Sequence, residues 1–481
     1  MLALGADFWQ NPSMESQDTH AAAARQAGSP SAAEARVRGL PPRPGNDVRR
    51  FSPGSDGLPW LGHTLAFIRD ARGLCQRMIA RHGPNFRLQI LGAPMLVIGQ
   101  PDLIRDVLLD REREYSNRMG WHLAIGELFS GGLMLRDFEE HHEHRRIMQA
   151  AFRPQALAGY LERVNPIVDR TISGWAGQIE AYAAIKQLTL DVAADVFLGI
   201  SLGDEVRRVN RAFVDMVAAS LALVRRDVPV LSYGRGMRGR RVLSSYIAGL
   251  IPGRRRGAGT DLFSQLCQAA SEDGLTFSDA EIVDHLIFLL MAAHDTTASS
   301  LSALLWALAQ SPEWQTRLAT PMRARTEPYL EWAMRDEFPD FDLCFQEALR
   351  MFPPVAFLGR RVTRDTQLGP LRLPRNTSVS PAPLVVHYSP EYWSEPERFD
   401  PERFAPERAE HRRHSHSYMP FGGGAHTCIG MSFARLQVRA IVYQLLRKFE
   451  LRLPAHYRLD MQAVPIAKPR GGLPLRLTPR A

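Results

Sequence analysis

The sequence predicts a mainly α-helical fold with a smaller β-rich region, and three features carry that reading. Helical periodicity dominates from about residue 100 to 350. The stretch 278–310 contains neither proline nor glycine, and about 30 such residues make a rod of roughly 45 Å, long enough to cross a domain. Strand-like runs are short and confined to the early chain, a proline-rich region at 353–420 and the tail.

The chain has 481 residues, 45% of them hydrophobic and 23% charged, which is ordinary for a globular protein. Residues 1 to about 50, rich in Ala, Ser, Gly, Pro and Arg, lack periodicity and read as a mobile leader. That segment has no long apolar core of a signal peptide, and its Asp and Glu argue against an organellar transit peptide. From residue 51 onward no composition shift marks a second domain. The run "NFRLQILGAPMLVIG" at 85–99 predicts two strands with a turn at Gly92. The Arg/Gly-rich stretches 234–241 and 253–259 predict exposed loops, as does "HRRHSH" at 411–416. In the long helix, "SDAE" forms a capping box with Ser278 as N-cap and Glu281 at N3.

Net charge is +8, almost entirely from arginine, which calls for an acidic partner. Neither zinc-finger spacing nor an RNA-binding aromatic signature is present, so nucleic acid is not the expected partner. Cys75, Cys267, Cys344 and Cys428 are widely spaced, which suits a reducing, cytoplasmic setting. The apolar run "LIFLLMAA" at 286–293 is far short of the ~20 residues of a membrane span. No transmembrane anchor is therefore expected.

Chemistry concentrates at 421–430, FGGGAHTCIG, directly before a helical pattern. Cys428 there admits three readings. It could be a buried structural cysteine, a nucleophile activated by the helix start with His426 as base, or a thiolate ligand to haem iron. The glycines would allow close approach to a flat macrocycle, and amide N–H groups around the sulfur would stabilise its anion. Within the long helix, "AAHDTTASS" at 292–300 places poor helix formers after an apolar run. It reads either as a helix emerging into solvent or as a polar notch inside the core, where backbone bonds are loosened.

The loop resembles the cysteine-ligand loop of the cytochromes P450, F-x-x-G-x-R-x-C-x-G, at Phe421, Gly424, Cys428 and Gly430. It departs at His426, where the family has Arg. "EALR" at 347–350 is similar to the family's E-x-x-R motif, and "FDPERF" at 399–404 to the segment that adds Arg403 to Glu347 and Arg350 as a structural lock. Alone, "EALR" would be a solvated helix face. "HHEHRRIMQAAF" at 141–152 resembles a haem-contacting helix, with His141 and Arg145 at its propionate positions; its three histidines are not expected to bind a metal. "FLGRRVTRD" at 357–365 resembles the strand that supplies a further propionate contact from Arg360, and His426 would contact a propionate too. The resemblance covers about Ser52 to Pro479 and implies the cytochrome P450 fold.

That resemblance further implies a haem b cofactor and a monooxygenase that inserts one atom of O2 into a C–H bond. "AAHDTT" is similar to the family's [AG]-G-x-[DE]-T-[TS] motif, so Asp295 and Thr296 would deliver protons for oxygen activation. A peroxide-driven peroxygenase or a non-catalytic haem sensor or carrier are the alternatives, and the Asp–Thr pair disfavours both. The chain has no flavin or iron–sulfur region, so electrons would come from a ferredoxin or flavodoxin and its reductase, docking near Arg435 and Arg439. By family position the substrate pocket draws on Trp121, Phe288, Ala292, Val355, Phe357, Leu358 and Ile466, which implies a lipophilic substrate: terpenoid, retinoid-like, steroid or fatty-acyl. "SPGSDGLPWLGHTLAFIRD" and "AAHDTTAS" resemble the retinoid-hydroxylase branch. Sterol 14-demethylases often carry His where this chain has Asp295.

Overall fold

The computed structural model describes residues 53–200, 204–220, 222 and 224–480, so the leader expected at 1–50 lies outside the described residues. The helices in chain order are α1 (Thr64–His82), α2 (Pro101–Leu109), α3 (Asn117–Ile125), α4 (Phe138–Met148), α5 (Pro154–Ser173), α6 (Ala181–Leu198) and α7 (Asp204–Ser220). They continue as α8 (Ser232–Arg256), α9 (Leu262–Gln268), α10 (Asp279–Gln310), α11 (Pro312–Arg323), α12 (Pro339–Met351), α13 (Pro383–Val386) and α14 (Met431–Lys448). No helix among the described residues is long and apolar enough to cross a membrane.

The predicted hairpin forms as β1 (Asn85–Ile90) and β2 (Ala93–Ile98), paired antiparallel. Its two turn residues, Leu91 and Gly92, both have positive φ (49° and 75°), as a tight turn matched to strand twist requires. β2 runs parallel to Ser378–Pro381, which pairs antiparallel with Arg360–Val362, and that strand pairs with Tyr115–Ser116 at the sheet edge. The strand carrying Arg360 is thereby fixed beside the start of α3. A second sheet joins Gly177–Glu180, Pro474–Pro479 and Phe449–Arg452.

The largest apolar cluster surrounds α10, with side chains from α5, α6, α12 and α14. The capping box is present: Ser278 Oγ accepts from Glu281 N, and Glu281 Oε2 accepts from Ser278 N at 2.9 Å. α10 runs unbroken from Asp279 to Gln310.

Two of the loops read from sequence are not loops. Residues 234–241 and the start of 253–259 lie inside α8, which continues through Pro252 to Arg256. Gly236 and Gly239 are buried because α7 and α8 pack closely, and Gly234 is buried against the Val228 backbone just before α8. A Cβ on Gly239 would lie 2.3 Å from Ala212 O. Glycine here permits close helix approach and does not break the helix. In 411–416, His411 is buried and stacks on Phe404 with ring centroids 5.2 Å apart, while Arg412 and Arg413 are exposed.

Candidate functional site

The 421–430 loop closes on itself when Cys428 N donates to Phe421 O at 2.9 Å. Gly422 and Gly424 have φ of 75° and 63°. At Gly424 a Cβ would sit 1.8 Å from Leu108 O, and at Gly423 3.1 Å from the Leu108 side chain. The glycines therefore seat the loop against the end of α2, a use that their sequence reading as a surface for a flat ligand did not contain.

Cys428 lies just before Gly430, the N-cap of α14. Cys428 is exposed, although protein packs densely around its sulfur. Burial raises the thiol pKa, while the Gly430 N–H bond to sulfur and the Arg145 charge oppose that rise. His426, half-buried, does not act on the thiol as a base. Its ring packs on His141, tilted by 36° with centroids 3.9 Å apart, and its Nδ1 lies 3.3 Å from Asn117 Nδ2. The nucleophile reading thereby loses its partner.

Two guanidiniums lie beside this loop. Arg145, on α4, donates to Thr427 O at 2.7 Å. Arg360 is buried and donates to Gly359 O at 3.0 Å and to Asn117 Oδ1. Burial lowers its pKa to about 10 against the pull of Asp137 and Asp110, neither of which is in ion-pair contact. Neither arginine pairs with a carboxylate among the described residues. A buried cation without a counter-ion costs several kcal/mol, of the order of 3–5 when a pair is broken. Such a site suits an anionic ligand. His141 is buried, and desolvation, then Arg145, lower its pKa to about 3.

The polar cluster of α10 does not emerge into solvent: Thr297, Ala298, Ser299 and Ser300 are all buried. Nor is the helix loosened there. Thr296 Oγ1 donates to Ala292 O at 2.7 Å and Ser300 Oγ to Thr296 O at 2.8 Å, so the hydroxyls bond back to an intact helix. Asp295 faces α6, where Lys186 Nζ lies 2.8 Å from its Oδ1, and His294 Nδ1 lies 3.1 Å from the same oxygen. Sequence reading missed Lys186. Its one signal was compositional: it is one of three lysines in an arginine-rich chain.

Glu347, Arg350 and Arg403 come together fully buried. Arg350 is bidentate to Glu347 at 2.7 and 2.9 Å, and Arg403 Nε donates to Glu347 Oε1 at 3.1 Å. Glu410, not foreseen, accepts from Arg403 at 2.8 Å and balances the second cation. The "EALR" turn is thus no solvated face.

The residues read as pocket lining divide among several packing environments. Trp121 on α3 lies against Gly359, Phe288 on α10 against Gly132, and Ala292 is half-buried one turn further on. Ala467 N donates to Pro354 O at 2.9 Å, which brings the segment of Ile466 beside Val355; both side chains are half-buried. Phe357 packs on Phe67 of α1 (4.9 Å between centroids), and Leu358 packs against the sheet cluster. The docking pair needs correction. Arg439 is 2% exposed, lies over the Phe341 ring, and shares Asp342 with Arg435 at 2.6 and 2.5 Å. An internal counter-ion of this kind presents no charge to a partner protein.

The cytochrome P450 family profile matches residues 52–469. "Putative cytochrome P450 136" of Mycobacterium tuberculosis is 39% identical over 449 residues, covering 91% of this chain and 90% of that protein. "Abscisic acid 8'-hydroxylase 2" of Oryza sativa subsp. indica is 27% identical over 89% of this chain and 86% of its own length. Among solved structures, that of retinoic acid bound cyanobacterial CYP120A1 superposes with a TM-score of 0.80 at 27% identity, covering 89% of this chain and 99% of that one. With a matching profile over most of its length and relatives of this similarity, the chain belongs to the cytochrome P450 family and is a haem-dependent monooxygenase.

Proposed function

We propose that this chain binds haem b through the thiolate of Cys428 and inserts one atom of O2 into a C–H bond of a lipophilic, terpenoid or retinoid-like molecule. The observation that carries the reading is an exposed Cys428 thiol bonded by Gly430 N–H beside the Arg145 guanidinium, with Arg360 next to His426 of the same loop and neither arginine paired with a carboxylate among the described residues. A thiol, a donor to its anion and two uncompensated cations fit a cofactor that bears a ligand-hungry metal and two carboxylates.

When bound, haem supplies electron storage and oxygen activation, which a thiolate ligand favours. The other steps belong to the chain. Gly430 N–H would stabilise the Cys428 anion, and Arg145, Arg360, His141 and His426 would hold the cofactor's carboxylates. Thr296 Oγ1 spends its hydrogen on Ala292 O, so its lone pairs remain to accept a hydrogen from water. Asp295 is held ionised by His294 and Lys186 and therefore orients a proton donor without storing a proton at neutral pH. Trp121, Phe288, Ala292, Val355 and Ile466 would exclude water around the substrate. Phe421 and Gly424 hold the cysteine loop in shape, and Glu347, Arg350 and Arg403 brace the structure as a buried lock. Electrons would come from a ferredoxin or flavodoxin and its reductase in the cytoplasm. Relatives named for retinoic acid binding and abscisic acid hydroxylation support an isoprenoid substrate.

The test is the absorption spectrum of reduced, CO-bound protein. Wild type should show the Soret band of thiolate ligation, and Cys428→His should move it to the histidine position; a histidine-type band in wild type overturns the assignment. A titration with retinoids, sesquiterpenoid acids, steroids and fatty acids, read as the haem spin-state change, then fixes substrate class. Turnover with O2 and a carrier, against peroxide alone, separates monooxygenase from peroxygenase.

A further inference from the structure

Asn117, the first residue of α3, is buried, and every polar atom of its amide is committed. Its own N–H donates to Asp137 Oδ1 at 2.7 Å, and Ser116 Oγ donates to Asp137 Oδ2 at 2.6 Å, so a buried carboxylate pins the start of the helix. Arg360 has only donors to offer, so the Asn117 atom it meets must be Oδ1. That leaves Nδ2 with two hydrogens. One goes to Met134 O at 2.6 Å, and the other lies toward His426 Nδ1 at 3.3 Å.

An amide NH2 cannot accept, so His426 Nδ1 is the acceptor. A ring that accepts at Nδ1 is neutral and carries its hydrogen on Nε2. The tilted contact with His141, centroids 3.9 Å apart, restricts the ring. Nε2 has no hydrogen-bond partner among the described residues.

We propose that Asn117 is a positioning residue that locks His426 as its Nε2–H tautomer, so that residue 426 meets a cofactor carboxylate with one neutral N–H donor. Elsewhere in the family this position offers a guanidinium. Here Arg360 and Arg145 supply the positive charge, and Asn117 couples Arg360 to His426 through one amide. The inference rests on the haem reading of the site.

The test uses the cofactor-bound protein. Wild type is first checked for the thiolate band, whose absence would fail the haem reading itself. His426→Phe keeps a ring against His141 and removes the N–H. It should shift the propionate-bending band in the resonance Raman spectrum and speed haem transfer to apomyoglobin roughly tenfold, as loss of one hydrogen bond to a charged group does. Asn117→Asp keeps the shape and the acceptor for Arg360 but abolishes the donor to Nδ1, so it should move the same Raman band. Asn117→Leu should do likewise, and its combination with His426→Phe should release haem no faster than the faster single variant. The proposal is overturned if His426→Phe moves the band while Asn117→Asp and Asn117→Leu leave it in place. It is equally overturned if the double variant shows additive rates, or if a thiolate-ligated wild type and all the variants share one band.

Discussion

At Asp295 three influences compete. Burial would raise the carboxyl pKa, but the hydrogen bond and charge of His294 and the charge of Lys186 outweigh it and bring it down to about 2. A carboxylate whose folded pKa lies below its ordinary 3.8 stabilises the fold above that ordinary value. The contribution fades as pH falls through about 2. The difference corresponds to roughly 2 kcal/mol. Asp295→Asn should therefore lower stability by about this amount at pH 7, with the deficit roughly halved at pH 3. Urea unfolding followed by circular dichroism at the two pH values checks it, and an equal deficit at both would count against the ion pair. The acid and its neighbouring threonine were legible in "AAHDTT" because a local polar break in an apolar run is a local signal. Lys186 was not, since its approach is made by packing α6 on α10. His426 shows the same limit: its departure from the motif was visible, but the ring contact with His141 and the bond from Asn117 join residues far apart in sequence.

Elements with strong local grammar were legible: the capping box of α10 and the two-residue turn at Gly92 each satisfy their own backbone groups. α8 was not, because glycine and arginine ordinarily mark a loop. Its glycines serve two different ends, and substitutions should separate them. Gly239 meets Ala212 O across the α7–α8 contact, so Gly239→Ala must push the helices apart and should cost about 1–3 kcal/mol. Gly249 is exposed on the same helix with nothing within 4 Å of its Cβ position. Gly249→Ala should stabilise by about 0.5–1 kcal/mol through lower chain entropy. Thermal unfolding of the two variants should move in opposite directions, and a stabilised Gly239→Ala would refute the close-packing account. The cysteine loop contrasts with α8: its glycines were noticed, but their seat against Leu108 became visible only with α2 in place.

Over the whole molecule, the arginine excess divides into internal and external use. Arg350 and Arg403 are consumed by Glu347 and Glu410, Arg439 by Asp342, and Arg360 faces the candidate cofactor space. Offset by these carboxylates, Arg350, Arg403 and Arg439 present no local positive charge for a partner to dock on. Composition alone could not make this division, and so Arg439 was misplaced at the surface. Long-range steering depends on the summed charge, screened over about 8–10 Å at physiological salt. Reduction by an acidic electron carrier should therefore slow steeply as salt rises from about 0.01 M, where the Debye length is about 30 Å, to about 0.1 M or more. Reduction by dithionite in place of the carrier should change far less with the same salt, and stopped-flow measurement of both rates tests the contrast. Arg439→Ala should leave the slope of the carrier-dependent rate against salt unchanged and lower the unfolding temperature instead, because it strips Asp342 of a buried partner. A flattened salt slope in that variant with its unfolding temperature intact would return Arg439 to the docking surface.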